Sequence, residues 1–483
     1  MTSAAETYDL IVIGGGSSGE NVADRAVQGG LTAVIIESEL VGGDCSYWAC
    51  MPSKALIRAG TALDAARRVG GAAEAVTGEL DARAAFARRD RVTHNWSDES
   101  QVRWLDSAEI ALVRGHARIT GVREVTVTAD DGATTVLTAT HAVAVCSGSA
   151  ALLPDIPGLA DVDPWSSREA TSATEVPTSL AIIGGGTVGA EMATAYAALG
   201  TTVTLVVRGT LLGKLEPFAG ELVTDALRAA GATVLTGVSA TELARNADGD
   251  VELSLDDGST VTASQVLVAT GRIPRTQDLG LGVVGMSDGD WLTVDDTMLV
   301  RGDSPVLEGE WLYATGDVNN RALLTHQGKY QARAAGDVIA ARANGKPVDD
   351  EPWGTHVATA DHAAVPQVTF TDPEVASVGL TAEAAEKAGY RIRVLDYDLS
   401  WLGGATVLAD DYTGQARAIV DEDRQVLLGV TFVGQDVGEL LHSATIAVVG
   451  EVPLARLWHA VPSYPTLSEV WLRFLEAYGR PSI

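Results

Sequence analysis

The chain has 483 residues and a formal net charge of −30, with 46% hydrophobic residues and 51 glycines. That length predicts several domains around a large buried core, and that composition excludes a disordered chain. The acidity argues against nucleic acid or an anionic membrane surface as a partner.

The stretch Met1–Asp9 shows no charged region leading into an apolar one, and no apolar run approaches membrane-spanning length. A cytoplasmic protein with no membrane partner is therefore expected. The apolar run from Tyr8 to Ile13 then opens into Gly14-Gly15-Gly16-Ser17-Ser18-Gly19, followed by a helix-compatible stretch to about Gly30 and a β-branched run from Thr32 to Glu37. Strand, glycine turn, helix and strand form the context in which G-x-G-x-x-G binds a dinucleotide. Gly14, Gly16 and Gly19 permit the tight turn, and helix N-terminal amides can meet a pyrophosphate. Glu37 ends the second strand, 18 residues after Gly19, where a carboxylate can accept hydrogen bonds from both ribose hydroxyls.

Cysteine is scarce, yet two of the three stand five positions apart in Gly42-Gly43-Asp44-Cys45-Ser46-Tyr47-Trp48-Ala49-Cys50-Met51-Pro52-Ser53-Lys54. A regular helix would separate Cys45 and Cys50 by about 7.5 Å, and a disulfide wants Cα atoms roughly 4.4–6.8 Å apart, so irregular backbone is expected here. Gly42 and Gly43 permit it, and Pro52 is tolerated in the first turn of a helix running through Lys54. No second cysteine pair exists to complete a zinc site, so no metal is expected and redox chemistry is the leading reading. A thiol near a helix N-terminus is favoured as thiolate. Tyr47 and Trp48, between the cysteines, are expected to shape a substrate pocket.

Val143–Ser149 reads as a buried strand in which Cys146 is a small core residue, and Leu153–Gly158 reads as a linker. The glycine pattern then recurs: Leu180–Ile183 opens into Gly184-Gly185-Gly186-Thr187-Val188-Gly189, with a helix to Gly200 and a strand Thr202–Val207. Val207, not an acid, stands 18 residues after Gly189, followed by Arg208 and Lys214. A missing acid with nearby cations favours a 2′-phosphate, hence NADP over NAD, with NAD possible. Two copies imply two dinucleotides. Val266–Arg272 and Leu312–Asp317 read as further strands, and Gly345–Pro352 as a second linker. From about Pro366 short strands and turns precede two helices.

In this order the motifs, with Glu191, Ala269-Thr270-Gly271-Arg272-Ile273-Pro274, Ala314-Thr315-Gly316-Asp317 and Pro366–Gly379, resemble those of the FAD-dependent pyridine nucleotide-disulfide oxidoreductases. These include glutathione reductase, lipoamide dehydrogenase and mercuric reductase, and the likeness covers essentially the whole chain. It implies an α/β fold with two Rossmann-like dinucleotide-binding domains, for FAD and NAD(P), and an α+β C-terminal dimerisation domain. The expected division is 1–150 and 273–345 for FAD, 151–272 for NAD(P), and 346–483 for the interface of a homodimer. The resemblance further implies that NAD(P)H reduces FAD, FAD reduces a Cys45–Cys50 disulfide, and the dithiol reduces a small-molecule disulfide or other acceptor. Cys50 would face the flavin and Cys45 would attack the substrate, while Lys54 and Glu191 pair beside the flavin. Glu37 would hold the FAD ribose, Asp317 the ribityl or pyrophosphate region, and the backbone at Gly115-His116-Ala117 the adenine. Ser18, Gly43, Ser147, Gly148 and Gly271 complete the expected cofactor contacts.

One departure stands out. The family typically ends with His-Pro-Thr-x-x-Glu, whose histidine is an acid–base catalyst oriented by the glutamate; here the run is Tyr464-Pro465-Thr466-Leu467-Ser468-Glu469. A tyrosine in water titrates near 10 and is a poor base at neutral pH. Tyr464 as proton donor, His459 or His442 in the histidine's stead, or a substrate needing no such base are the three readings. The missing histidine and Val207 count against lipoamide dehydrogenase, and the last residues hold no vicinal cysteines of the mercuric reductase kind. An NAD(P)H:quinone or other-acceptor oxidoreductase and a dihydrolipoamide dehydrogenase-like enzyme are the enzymatic alternatives. A flavin-binding thiol redox sensor is the non-enzymatic one.

Overall fold

Long apolar runs become central strands where both faces can be covered, and the first run of this chain does so. A computed structural model describes residues 6–480, so Met1–Ala5 and Pro481–Ile483, on which the leader and terminal-cysteine readings rest, lie outside the described residues. Contacts group the chain into two units: residues up to 51, 90–151 and 272–361, and residues 52–89, 152–271 and 362 onward. Residues 52–89, which the sequence places within 1–150, thus fall in the second unit.

In the first unit a seven-stranded sheet runs in the order Ile110–Arg114, Ala33–Glu37, Glu6–Ile13, Thr134–Val145, Glu124–Thr128, His116–Gly121, with Leu312–Ala314 also pairing with Thr134–Val145. The strands around Glu6–Ile13 are parallel and the last three form an antiparallel meander. Leu10, Ile11, Val12, Val34 and Ile35 are wholly buried, each contributing about 1.5–3 kcal/mol of burial free energy. This two-sided burial is why the runs are continuously apolar instead of alternating. The helices Ser17–Gln28 and Thr325–Ala343 pack together closely: a Cβ on Gly29 would lie 2.3 Å from Ala340 Cβ, and one on Gly336 2.6 Å from Arg25 Cβ. Arg25 clasps Asp337 across this seam at 2.8 and 2.9 Å.

In the second unit the parallel sheet Thr233–Thr236, Thr202–Val207, Ser179–Ile183, Gln265–Val268 repeats the strand–turn–helix–strand plan. Beside it in sequence are a three-stranded antiparallel sheet, from Ala240 to Ala263, and a five-stranded antiparallel sheet ordered Gln367–Thr369, Glu374–Gly379, Val426–Gly434, Gln415–Asp421, Ile392–Asp398. Leu153–Gly158 and Gly345–Pro352 carry no helix or strand. Among the described residues no helix is long and apolar enough to cross a membrane.

Candidate active site

The two glycine turns are built alike. Gly14 has φ +102°, and a Cβ there would lie 2.5 Å from Cys146 O; Gly184 has φ +125°, with Ala269 O at 2.3 Å. At Gly19 and Gly189 a Cβ would lie 1.9 and 2.2 Å from the carbonyls of Gly14 and Gly184. Only glycine allows the strand end, the turn and the helix to close at these points. Gly16 and Gly186 head the helices Ser17–Gln28 and Thr187–Ala198 with no side-chain cap, so the first-turn amides are left for an incoming anion.

Around the first turn several of the residues expected to hold a dinucleotide come together. Glu37 Oε2 accepts from Gly15 N at 2.7 Å and Oε1 from Glu39 N at 2.7 Å. Burial raises the Glu37 carboxyl while those two amides hold it down. Ser18 packs into the space left by two glycines, its Oγ lying 2.6 and 2.4 Å from where Gly316 and Gly328 would carry a Cβ. Gly43, at φ +62°, faces Gly16, whose Cα is 2.9 Å from its missing Cβ. Ser147 Oγ is buried with no hydrogen-bond partner among the described residues, a polar group open to one. Gly148, at φ +74°, has no atom near its Cβ position. Asp317 Oδ2 accepts from Ser149 Oγ at 2.5 Å, and burial raises its carboxyl. Ala117 is buried next to Gly115, whose N–H donates to Glu37 O at 3.1 Å, whereas His116 points outward to Asp278, 3.0 Å away.

Sequence reading misses the charged mesh beside Asp317. Arg272 donates to Ser149 Oγ and O at 2.5 and 2.7 Å and reaches Asp44 at 3.3 Å; Arg275 reaches Asp44 at 3.4 Å and Glu39 at 3.5 Å. Arg272 lies inside a recognised motif, but nothing local announces a partner 228 residues away.

At the second turn Val207 is buried and its methyls fill the space over Gly185, 2.3 Å from a Cβ there. Arg208 and Lys214 are exposed on the following loop. Gly271, at φ +153°, has only the Leu152 side chain near its Cβ position, at 3.6 Å.

The cysteine loop is irregular, as the spacing requires. Cys45 lies in the short helix Gly43–Tyr47, Trp48 breaks it, and Cys50 begins the long helix Cys50–Arg67 with Pro52 in its first turn. Tyr47 does not shape a pocket: it is wholly buried, its hydroxyl donates to Val41 O at 3.1 Å, and burial pushes it up to about 12. It anchors the loop instead. Cys50 Sγ lies 3.3 Å from Thr325 Oγ1 at the start of the helix Thr325–Ala343. The Cys45 thiol is pushed well up, first by its hydrogen bond to Cys50 and then by burial, while Thr325 and Lys329 act against this. Cys50 heads the helix Cys50–Arg67, and a helix N-terminus favours a thiolate. Cys146, buried and 3.2 Å from Thr315 Oγ1, is pushed up to about 12 by burial, as an inert core thiol would be.

In the second unit Lys54 Nζ lies 2.6 Å from Glu191 Oε2, and Glu191 Oε1 accepts from Phe370 N at 3.0 Å. The ammonium sits 5.0 Å from the Phe370 ring centroid. Near the C-terminus Tyr464 is 76% exposed. Glu469 is buried, pairs with Arg473 through Oε1, and leaves Oε2 with no partner among the described residues. His442 and His459 are exposed.

Residues 8–337 match the family described as pyridine nucleotide-disulphide oxidoreductase, and residues 365–473 match the dimerisation domain of the same family. The chain is 34% identical to a dihydrolipoyl dehydrogenase of Thermus scotoductus, over 99% of each chain. It is 32% identical to a mercuric reductase of Streptomyces lividans, over 97% of this chain and 96% of that one. In fold it is similar to the HOCl-induced flavoprotein disulfide reductase RclA from Escherichia coli, with a TM-score of 0.80 and 22% identity over 97% of this chain and 99% of that one.

The Lys54–Glu191 pair yields a stability prediction. Glu191 is 3% exposed, so Lys54→Ala leaves a buried carboxylate without its cation, at a cost on the order of 3 kcal/mol. Thermal denaturation should show a clear fall in midpoint for Lys54→Ala, and much of it should return in Lys54→Met/Glu191→Gln. Equal midpoints for all three proteins would mean the pair carries no such burden.

Proposed function

Because the chain belongs to the pyridine nucleotide-disulphide oxidoreductases, an FAD-dependent family that uses NAD(P)H, we propose that Cys45 and Cys50 are its redox disulfide and that it reduces a small-molecule disulfide. The observation that carries this is the thiol pair itself, joined by a hydrogen bond and flanked by Thr325, with Cys50 heading a helix. When bound, FAD takes a hydride from the nicotinamide and passes two electrons to the disulfide. Gly14, Gly16, Ser18, Gly19, Glu37, Gly43, Ala117, Ser147, Gly148 and Asp317 would hold it, with the His116 backbone beside the adenine. Gly184, Gly186, Gly189, Arg208, Lys214 and Gly271 would hold the nicotinamide dinucleotide.

The residues then divide the work. Cys50 carries the thiolate, and Cys45 attacks the substrate sulfur. Lys54, paired with Glu191, supplies a fixed cation for the reduced cofactor. Tyr464 stands where the family has histidine and serves as a proton donor, with Glu469 behind it. Arg208 and Lys214 beside the buried Val207 favour a 2′-phosphate, hence NADPH. Exposed Trp401, Val407, Ile446 and Val461 within the matched dimerisation domain support a homodimer that covers them. A cytoplasmic setting fits cysteines that must cycle between thiol and disulfide.

Three outcomes test the reading. Gly14→Ala should lose bound flavin absorbance, whereas Gly184→Ala should keep it and raise the KM for NADPH at least ~10-fold, since a Cβ clashes in each turn. In anaerobic stopped-flow mixing with NADPH, a long-wavelength thiolate–flavin absorbance should form in wild type and vanish in Cys50→Ser; its absence from wild type would sink the dithiol route. Arg208→Glu should cut kcat/KM for NADPH by about 10-fold or more while sparing NADH, since it removes a charge-assisted phosphate contact, and each tenfold corresponds to roughly 1.4 kcal/mol. An unchanged coenzyme preference would assign the 2′-phosphate elsewhere.

A further inference from the structure

The segment that carries Cys45 cannot hold itself in place. Between the strand Ala33–Glu37 and Cys45, residues 38–42 form no helix or strand beyond an isolated bridge from Gly42 to Gly16. The helix Gly43–Tyr47 that follows has five residues, and so short a helix is marginal in water because nucleation fixes several residues for one hydrogen bond. Its position must come from groups elsewhere in the chain. Val41 N donates to Asp98 Oδ2 at 2.8 Å and Gly42 N to Gly15 O at 2.8 Å, which secures the approach. Tyr47 secures the far end of the helix, through Val41 O and Trp96 Nε1.

At the near end the tie is Asp44, the residue directly before Cys45. Its Oδ2 accepts from Arg272 Nη2 at 3.3 Å and its Oδ1 from Arg275 Nη2 at 3.4 Å. Both arginines are themselves fixed by backbone: Arg272–Pro274 pairs antiparallel with Ser149–Ala151, and Arg275 N donates to Gly148 O at 3.1 Å. Arg272 is further pinned by its two hydrogen bonds to Ser149, and its Nε lies 3.6 Å from Asp317 Oδ2. An isolated exposed ion pair adds little, but here the donors are pre-set, networked and mostly shielded, with Arg272 22% and Asp44 26% exposed.

One guanidinium therefore stands between two carboxylates, Asp317 on the cofactor side and Asp44 on the thiol side. Burial raises the Asp317 carboxyl, Ser149 and Arg272 hold it down, and Asp44 adds to the rise, so the two acids feel each other. Without the cations they would repel, and the near end of the Cys45 helix would swing away from Cys50, to which the Cys45 thiol is hydrogen-bonded.

We propose that Asp44 is a positioning residue for the redox pair: clamped by Arg272 and Arg275, it fixes the Cys45 end of the loop within bonding reach of Cys50. The inference rests on the disulfide reductase function proposed above. Asp44 touches no substrate and acts only through where it places Cys45. Fixing two thiols side by side raises the effective concentration of each for the other, and their disulfide is correspondingly harder to reduce.

The test equilibrates the full-length FAD-loaded enzyme, under nitrogen, with mixtures of reduced and oxidised dithiothreitol, and scores Cys45 and Cys50 by peptide after acid quenching and alkylation. Each Cys45–Cys50 disulfide that opens takes two electrons and two protons from one dithiothreitol, which closes into its own ring disulfide. Asp44→Asn keeps the size of the side chain and removes its charge, and should shift the equilibrium towards the dithiol by about 10-fold or more. Arg275→Gln should shift it the same way, and the double variant should go no further than the larger single change. An Asp44→Asn equilibrium within about 2-fold of wild type, even with a lowered thermal midpoint, would make the clamp a fold contact alone and overturn the inference. So would a double variant in which the two single shifts multiply. Wild-type Cys45 and Cys50 that form no bond at any dithiothreitol ratio would overturn both the inference and the function it rests on.

Discussion

Five residues of regular helix would hold Cys45 and Cys50 about 7.5 Å apart along the axis, too far for the two sulfurs to share a proton or a bond. The chain escapes this by stopping one short helix at Tyr47 and starting another at Cys50. What holds the break open is Tyr47, buried with its hydroxyl on Val41 O, while its own carbonyl accepts from Trp96 Nε1 at 3.1 Å. The closeness of the thiol pair and its approach to Thr325 both follow from that fold in the loop. Replacing the break with continuous helix would leave both cysteines present and their approach gone.

The second dependence is steric. Each glycine turn places a strand-end carbonyl, Cys146 O or Ala269 O, where any side chain would stand. Closing the turn this tightly aims uncapped helix amides at one point, and it does so in each unit. The two turns then diverge by a single strand-end residue. Glu37 is drawn down onto Gly15 N and Glu39 N, whereas Val207 fills the same region with methyl groups ahead of the exposed Arg208 and Lys214. One supersecondary plan thereby recurs with two different strand ends.

The features legible in the sequence are those whose cause is local. A glycine required by positive φ, an apolar run buried on both faces and a proline in the first turn of a helix each leave a mark within a few residues. Lys54 and Glu191 were paired only through family resemblance, and the third member of that cluster, the Phe370 amide, has no local signal. The Asp44–Arg272–Arg275 mesh and the Thr325 hydroxyl beside Cys50 were equally silent, because their members lie hundreds of residues apart. Tyr47 was misread for the opposite reason: a large aromatic between two cysteines looks available to a substrate, and only its burial reveals an anchor. The overlap of residues 52–89 with the second unit is likewise a long-range property, set by contacts such as Gly60 against Ala198.

The central claim is that Cys45 and Cys50, and not Cys146, store the electron pair. Counting thiols tests it most directly: the protein, as oxidised by air and again after one equivalent of NADPH under nitrogen, is denatured and labelled, and its three cysteines are scored by peptide. The account predicts that only Cys146 labels before reduction and that all three label after it. Cys45 and Cys50 labelling equally in both states would contradict it.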